Sequence, residues 1–275
     1  MSLKLMYITN NLEVAMIAQK YGVDRIWIDL ETLGKEERQK GQDSVKSHHS
    51  VNDIRTIKPY LNESEMLVRI NPWHNESPEE INDVIDAGAD IMMLPYWKSS
   101  KEVACFVNAV EKRCKTTLLL ETKEAVECID EVLNMLEVDE IHIGLNDLCL
   151  SYGGAFMFEF LANGLVDTLC RKFAYKGIPY GFGGIARLGC GDISAEKIIV
   201  EHYRLGSTRA ILSRSFCNTD RIESIEAVET VFSQELKRLR EYEEIVATYS
   251  ENKYLSNHKE VVEIVERISK ERLGV

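Results

Sequence analysis

No apolar run in the sequence approaches the ~18–20 residues that a membrane helix needs, so a bilayer-spanning role is not expected. The opening residues, MSLKLMYITN, lack the apolar core and small-residue cleavage site of a secretory signal. Positive charge is in short supply. The 275 residues hold 33 Lys and Arg against 45 Asp and Glu, a net −12, which is the wrong sign for nucleic acid or an anionic membrane surface as the main partner. The acidic surplus serves solubility and points to no particular partner. The seven cysteines are odd in number and scattered, without a CxxC pair; most fall in predicted helices, where cysteine is a small buried apolar residue. Together these absences describe a reduced, cytoplasmic, soluble protein. A glycine-rich loop after the first strand is also missing. Thr9-Asn10-Asn11 stands there, against a doubly wound nucleotide-binding sheet.

What the sequence does hold is a regular alternation. Short apolar runs occur at Leu3–Ile8, Arg25–Leu30, Met66–Ile70, Ile91–Tyr96, Thr116–Leu120, Glu140–Gly144, Ile178–Phe182 and Thr208–Leu212. Their near-continuous hydrophobicity suits parallel strands buried on both faces. Between them lie helical patterns such as Leu12–Tyr21, Pro78–Ala87, Lys101–Arg113, Thr122–Leu136, Met157–Tyr175 and Ala195–Arg204. Gly22, Gly88 and Gly177 punctuate the returns from helix to strand, as helix-end glycines do. Eight strand–helix units in order predict an α/β fold, a (β/α)8 TIM barrel over residues 1–250. Residues 251–275 form a C-terminal helical extension. There Val261, Val262, Ile264, Val265 and Ile268 make an apolar stripe over Lys259–Arg272. A closed barrel already has its eighth helix, so the stripe is expected to pack on a neighbouring subunit.

Barrel enzymes carry their reactive groups at the C-terminal strand ends. Those positions hold Asp29 and Glu31 after strand two, Arg69 and Asn71 after strand three, Glu121 after strand five, and Asn146 and Asp147 after strand six. Adjacent strands lie ~4.8 Å apart, so Glu121 and Asp147 can converge on one hard divalent cation with oxygen ligands. Position alone leaves open that each carboxylate instead caps the following helix. Arg69 either neutralises these acids or faces a substrate carboxylate or enolate. Gly181-Phe182-Gly183-Gly184 is either a phosphate-cradling turn or a place where backbone packs closely. His48-His49 and Trp73-His74 lie in loops on the same side of the barrel, where a surface pair is ordinarily solvated.

The segments Gly22–Glu31, Val68-Arg69-Ile70-Asn71, Asp86–Asp90 with Leu94-Pro95, Leu120-Glu121-Thr122 and Ile143–Leu148 resemble, in order, the HpcH/HpaI aldolase and citrate lyase β-subunit family. The resemblance spans roughly Leu12 to Leu212. It implies a phosphoenolpyruvate/pyruvate-type barrel that makes or breaks carbon–carbon bonds beside a carbonyl, commonly with Mg²⁺ or Mn²⁺. Carried onto this chain, it makes Glu121 and Asp147 metal ligands and Arg69 the catalytic group on the carbonyl or enolate oxygen. Main-chain N–H groups near Asn146 and Asp147 become the grip on a substrate carboxylate. The implied reaction is aldol cleavage or formation of a 4-hydroxy-2-oxo acid, the partners being a 2-oxo acid and an aldehyde. The alternatives are an acyl-CoA lyase and a non-catalytic family member. A homo-oligomer, trimer or hexamer, with an exchanged C-terminal helix is also implied. The sequence departs from the aldolase branch at Thr32, where that branch has histidine. His49, or His48, displaced by an insertion, is therefore expected to fold back as general base, oriented by Asp29.

Overall fold

The strands form where β-branched and long apolar residues run together, and they pair in parallel around a closed ring. They are β1 (Lys4–Ile8), β2 (Arg25–Asp29), β3 (Glu65–Arg69), β4 (Ile91–Leu94), β5 (Lys115–Leu120), β6 (Glu140–Ile143), β7 (Tyr180–Ile185) and β8 (Arg209–Leu212). The computed structural model describes residues 2–34, 49–219, 222 and 224–274. His48 and most of the loop before it lie outside the described residues.

The helices are α1 (Leu12–Lys20), α2 (Val51–Ile57), α3 (Ser77–Ala87), α4 (Ser100–Val110), α5 (Lys123–Glu127) and α6 (Ile129–Val132). They continue with α7 (Leu145–Ser151), α8 (Glu159–Ala162), α9 (Leu165–Lys176), α10 (Ala195–Arg204), α11 (Ile225–Val246) and α12 (Glu251–Leu273). Local chemistry sets their starts. Asn11, Ser99 and Thr122 each accept a hydrogen bond from a main-chain N–H three residues on, which satisfies an otherwise orphaned donor. The single helix expected over Met157–Tyr175 is broken in two, because Gly164 takes a left-handed φ of +85° between α8 and α9. The run expected over Thr122–Leu136 likewise divides, at Cys128.

Strand side chains alternate with a period of two, and this parity organises the barrel interior. Met6, Trp27, Leu67, Ile91, Met93 and Leu119 fill its middle. Two residues earlier on β2 and β3, and two before Ile211 on β8, stand Arg25, Glu65 and Arg209. Glu140 accepts paired bonds from Arg25 at 2.6 and 2.8 Å and from Arg209 at 2.8 and 2.6 Å, closing the base with a buried ionic layer. Burial opposes the Glu140 charge, but the bonds from Arg25 and Arg209 hold its carboxyl down to about 2. The outward faces pack against the helices in the main core.

The C-terminal helix α12 lies along α10 and α8 of its own barrel. Only Val261 and Val265 of its stripe are fully buried, so apolar contact is a small part of the reason. Glu201 on α10 is completely buried. It is bonded to Arg204 at 2.9 Å, to Asn257 at 3.0 Å and to His258 Nδ1 at 2.9 Å. A buried carboxylate needs such partners, and α12 supplies two of them.

Candidate active site

The same parity, stepped toward the C-terminal ends, builds the barrel mouth. Asp29 follows Trp27 by two residues, Arg69 follows Leu67, and Glu121 follows Leu119, so all three continue inward-facing columns. Asp29 and Arg69 are also direct neighbours in the β2–β3 register. Arg69 grips the Asp29 carboxylate as a fork, Nε to Oδ1 at 2.9 Å and Nη2 to Oδ2 at 2.8 Å, and Nη1 lies 3.3 Å from Glu31. Burial works against the guanidinium charge, but Asp29 and Glu31, with Glu121 beyond them, hold it firmly protonated. Three of its five N–H donors are thereby engaged, which leaves two for another acceptor. Its carbon also sits 5.2 Å from the centre of the Trp27 ring.

Glu121 is 2% exposed and Asp147 8%. The Tyr96 N–H donates to Glu121 Oε1 at 3.0 Å, from a residue in the left-handed region at φ +49°. A non-glycine residue held there costs of order 1–3 kcal/mol, a strain that clusters at functional sites. On the other side lies Gly144, where a Cβ would stand 2.7 Å from Glu121 Oε2. Glycine is needed at this position for space, since its φ of −82° suits any residue. Gly144 is also the N-cap of α7, so the Glu121 carboxylate sits beside the turn that carries Asn146 and Asp147. Among the described residues no three His, Cys, Asp or Glu side chains form a metal cluster. A cation here would hold two protein carboxylates and fill its remaining positions with water or substrate. That donor set, all oxygen and two-fold anionic, fits Mg²⁺ or Mn²⁺, which commonly keep waters and take one or two carboxylates. Asp29, Glu31 and Glu121 all bear on Arg69, and Asp147 stands in the first turn of α7.

His49 reaches the mouth from the residue before the N-cap of α2, where Ser50 and Asp53 form a capping box. Its Nδ1 accepts the Asp29 main-chain N–H at 2.9 Å. Asp29 therefore contacts His49 through its amide, while its carboxylate receives the Arg69 fork. An N–H can only donate, so the neutral ring carries its proton on Nε2. A base at that nitrogen would have to leave the Asp29 amide first.

Several other loop residues named in the sequence are structural. Asn71 accepts from the Thr32 and Leu33 N–H groups and donates to Glu80, and His74 bonds Ser77 and Glu80. The β7 glycines are spaced by packing. A Cβ at Gly181 would meet the Arg209 carbonyl at 2.4 Å, and one at Gly183 would meet Leu145 at 2.8 Å. Tyr96, Gly144 and Trp27 are contributors that the sequence reading passed over. Of these, only Gly144 carried a signal, a glycine on the inward parity of β6.

A sequence profile of HpcH/HpaI aldolase/citrate lyase matches residues 4–159. No curated protein matches. An HpcH/HpaI aldolase from Desulfitobacterium hafniense DCB-2 superposes with a TM-score of 0.58 at 16% identity, covering 87% of this chain and 93% of the other. An HpcH/HpaI aldolase/citrate lyase family protein from Burkholderia cenocepacia J2315 gives 0.61 at 14% identity, over 82% and 95%. The citrate synthase SbnG gives 0.58 at 16%, over 77% and 85%. At such identities these likenesses speak to the fold.

Proposed function

The chain belongs to the HpcH/HpaI aldolase/citrate lyase family, and from that premise we propose that it is a divalent-metal-dependent carbon–carbon lyase acting on a 4-hydroxy-2-oxo acid. The observation that carries the reading is the Glu121 carboxylate, buried, held by the strained Tyr96 amide, and given room by Gly144 beside the Asp147 turn. Glu121 and Asp147 would hold Mg²⁺ or Mn²⁺. Bound there, the ion supplies Lewis-acid polarisation of the 2-oxo group.

The chain's own residues do the rest. Main-chain N–H groups of Asn146 and Asp147 lie in the first turn of α7, the positively polarised end of the helix, which suits the substrate carboxylate. Arg69, pinned on one edge by Asp29 and Glu31, turns its two remaining donors toward the oxygen that gains charge as the enolate forms. Preorganised donors of this kind are worth most in a buried site. In cleavage the C3–C4 pair passes to the enolate and the C4 hydroxyl gives its proton to a solvent water at the mouth, becoming a carbonyl. C3 then takes up one proton. His49, donating from Nε2, orients the C4 oxygen.

Proton–deuterium exchange at C3 of pyruvate tests the reading. Exchange by the purified protein that requires Mg²⁺ or Mn²⁺ is the expected result. No exchange with any divalent ion overturns it.

A further inference from the structure

The mouth lies at the C-terminal ends of the strands, and a cavity of ≈ 810 Å³ lies at the opposite end of the barrel. It is framed by the helix-to-strand returns before β3, β4, β5 and β6, and its size is within the range of small-molecule pockets. None of its lining residues belongs to the candidate active site. Part of its lining is fixed by satisfied charges. Lys58 bonds both Asp90 oxygens at 2.6 and 2.5 Å, Lys115 bonds Glu65 at 2.5 Å, and Asp139 accepts the Thr116 N–H at 2.8 Å. Among the described residues, four lining charges have no oppositely charged partner closer than 4.0 Å: Lys112, Arg113, Glu63 and Glu137. Lys112 and Glu137 stand 4.0 Å apart with both side chains exposed, and such a pair contributes little. Arg113 donates from Nε and Nη2 to the Val110 and Ala109 carbonyls at 3.1 and 2.8 Å. Those bonds fix the guanidinium and leave three of its five donors.

We infer that this cavity is a binding site for a free α-amino acid with an apolar side chain. The spare charge is two positive and two negative, so neither a simple anion nor a simple cation is favoured over water, while a zwitterion is matched at both ends. The two signs adjoin at Lys112 and Glu137, as the ammonium and carboxylate of an α-amino acid adjoin on one carbon. The carboxylate falls to Arg113, whose planar fork suits it, and to Lys112; the ammonium falls to Glu137. An apolar chain finds cover on Leu136, 91% exposed beside Glu137, and on the buried Leu61 and Val107. The return that carries the cations is also built unlike others around the ring. The chain leaves α1, α3, α9 and α10 through the left-handed glycines Gly22, Gly88, Gly177 and Gly206, whereas Glu111 and Lys112 leave α4 at φ +53° and +58°. Side chains resist that conformation, and here it brings an ammonium group to the cavity wall.

Isothermal titration calorimetry of the full-length protein tests the site, with L-leucine as the probe. Isocaproate keeps the chain and the carboxylate but lacks the ammonium; isoamylamine keeps the chain and the ammonium but lacks the carboxylate. The expected result is saturable binding of L-leucine with a Kd below about 1 mM. Each analogue is expected to bind at least about tenfold more weakly, the scale of one hydrogen bond to a charged group. Arg113→Gln and Glu137→Gln change exposed side chains, where substitution seldom disturbs a fold, and each is expected to weaken L-leucine about tenfold. No saturable heat from L-leucine, an analogue that binds as tightly, or variants that bind L-leucine as the wild type does overturns the site. The readout is binding at the far end of the barrel, so it stands apart from the lyase reading.

Discussion

At the scale of single residues, the site is held by backbone as much as by side chains. Glu121 is fixed between the Tyr96 N–H and the gap at Gly144. Gly144→Ala asks little of the main chain at φ −82° but places a methyl 2.7 Å from Oε2, so the carboxylate must turn away. The expected outcome is a fall of about 10–100-fold in Mn²⁺ affinity, the usual cost of losing a metal ligand's support, with the circular dichroism spectrum unchanged; calorimetric titration reads it. Asp29, Arg69 and Glu121 were legible as mouth residues because alternation along a strand fixes which face each occupies. Tyr96 was not, since a left-handed φ after Pro95 leaves no mark in residue type. His49 was legible as a residue returning to the mouth, but its main-chain partner was not. The Asp29 amide on Nδ1 decides the tautomer, and a main-chain N–H is invisible in the residue pattern.

At the scale of elements, α12 was legible as a helix, while what anchors it was not. Its apolar stripe was plain, but its polar anchor was not, because the buried Glu201 lies 56 residues from Asn257 and 57 from His258. The Arg204–Glu201 pair makes α12 part of the barrel's own electrostatics, with Arg204 also bonded to Asp167 at 2.6 and 3.0 Å. Glu201→Ala leaves Arg204 half-satisfied in a buried setting and strips α12 of two anchors. It is expected to lower unfolding free energy by about 3 kcal/mol, the lower end for a broken buried ion pair, as read by urea denaturation. Strand β7 shows a second kind of difference. Its end shifts from the expected Phe182 to Ile185, and its pairing with β8 slips between Gly181 and Gly184. Glycine there permits both the close approach to Arg209 and the irregular register.

At the scale of the whole molecule, eight strands in order were readable because each apolar run is near the length of one buried strand. The ionic base of the barrel was not, because Arg25 and Glu140 are 115 residues apart and each alone reads as a strand edge. The interior also buries two histidines. His142 bonds the Gly183 carbonyl at 3.1 Å, and His202 stacks flat on Phe182 at 4.0 Å. Burial lowers the first from 6.5 to about 4 and the second from 6.5 to about 3. The unfolded chain therefore binds more protons than the folded one once the pH drops below 6.5. Stability is full above that value and is lost as acid approaches about 4 for His142 and about 3 for His202. Glu140 contributes later, its stabilisation fading from 4.5 toward about 2. The thermal midpoint is expected to fall steadily from pH 6.5 downward. His202→Phe, which keeps a ring on Phe182 and removes one titrating group, is expected to make that fall shallower; an unchanged slope would assign the dependence elsewhere.

The proposed function turns on Glu121 and Asp147 sharing one ion. The most direct test is electron paramagnetic resonance of Mn²⁺ titrated into the wild-type protein, Glu121→Gln and Asp147→Asn. One bound ion per chain in the wild type, and an affinity weakened about 100-fold or more in each variant, is the result predicted from loss of a charged oxygen ligand. Equal Mn²⁺ binding in all three proteins would contradict it.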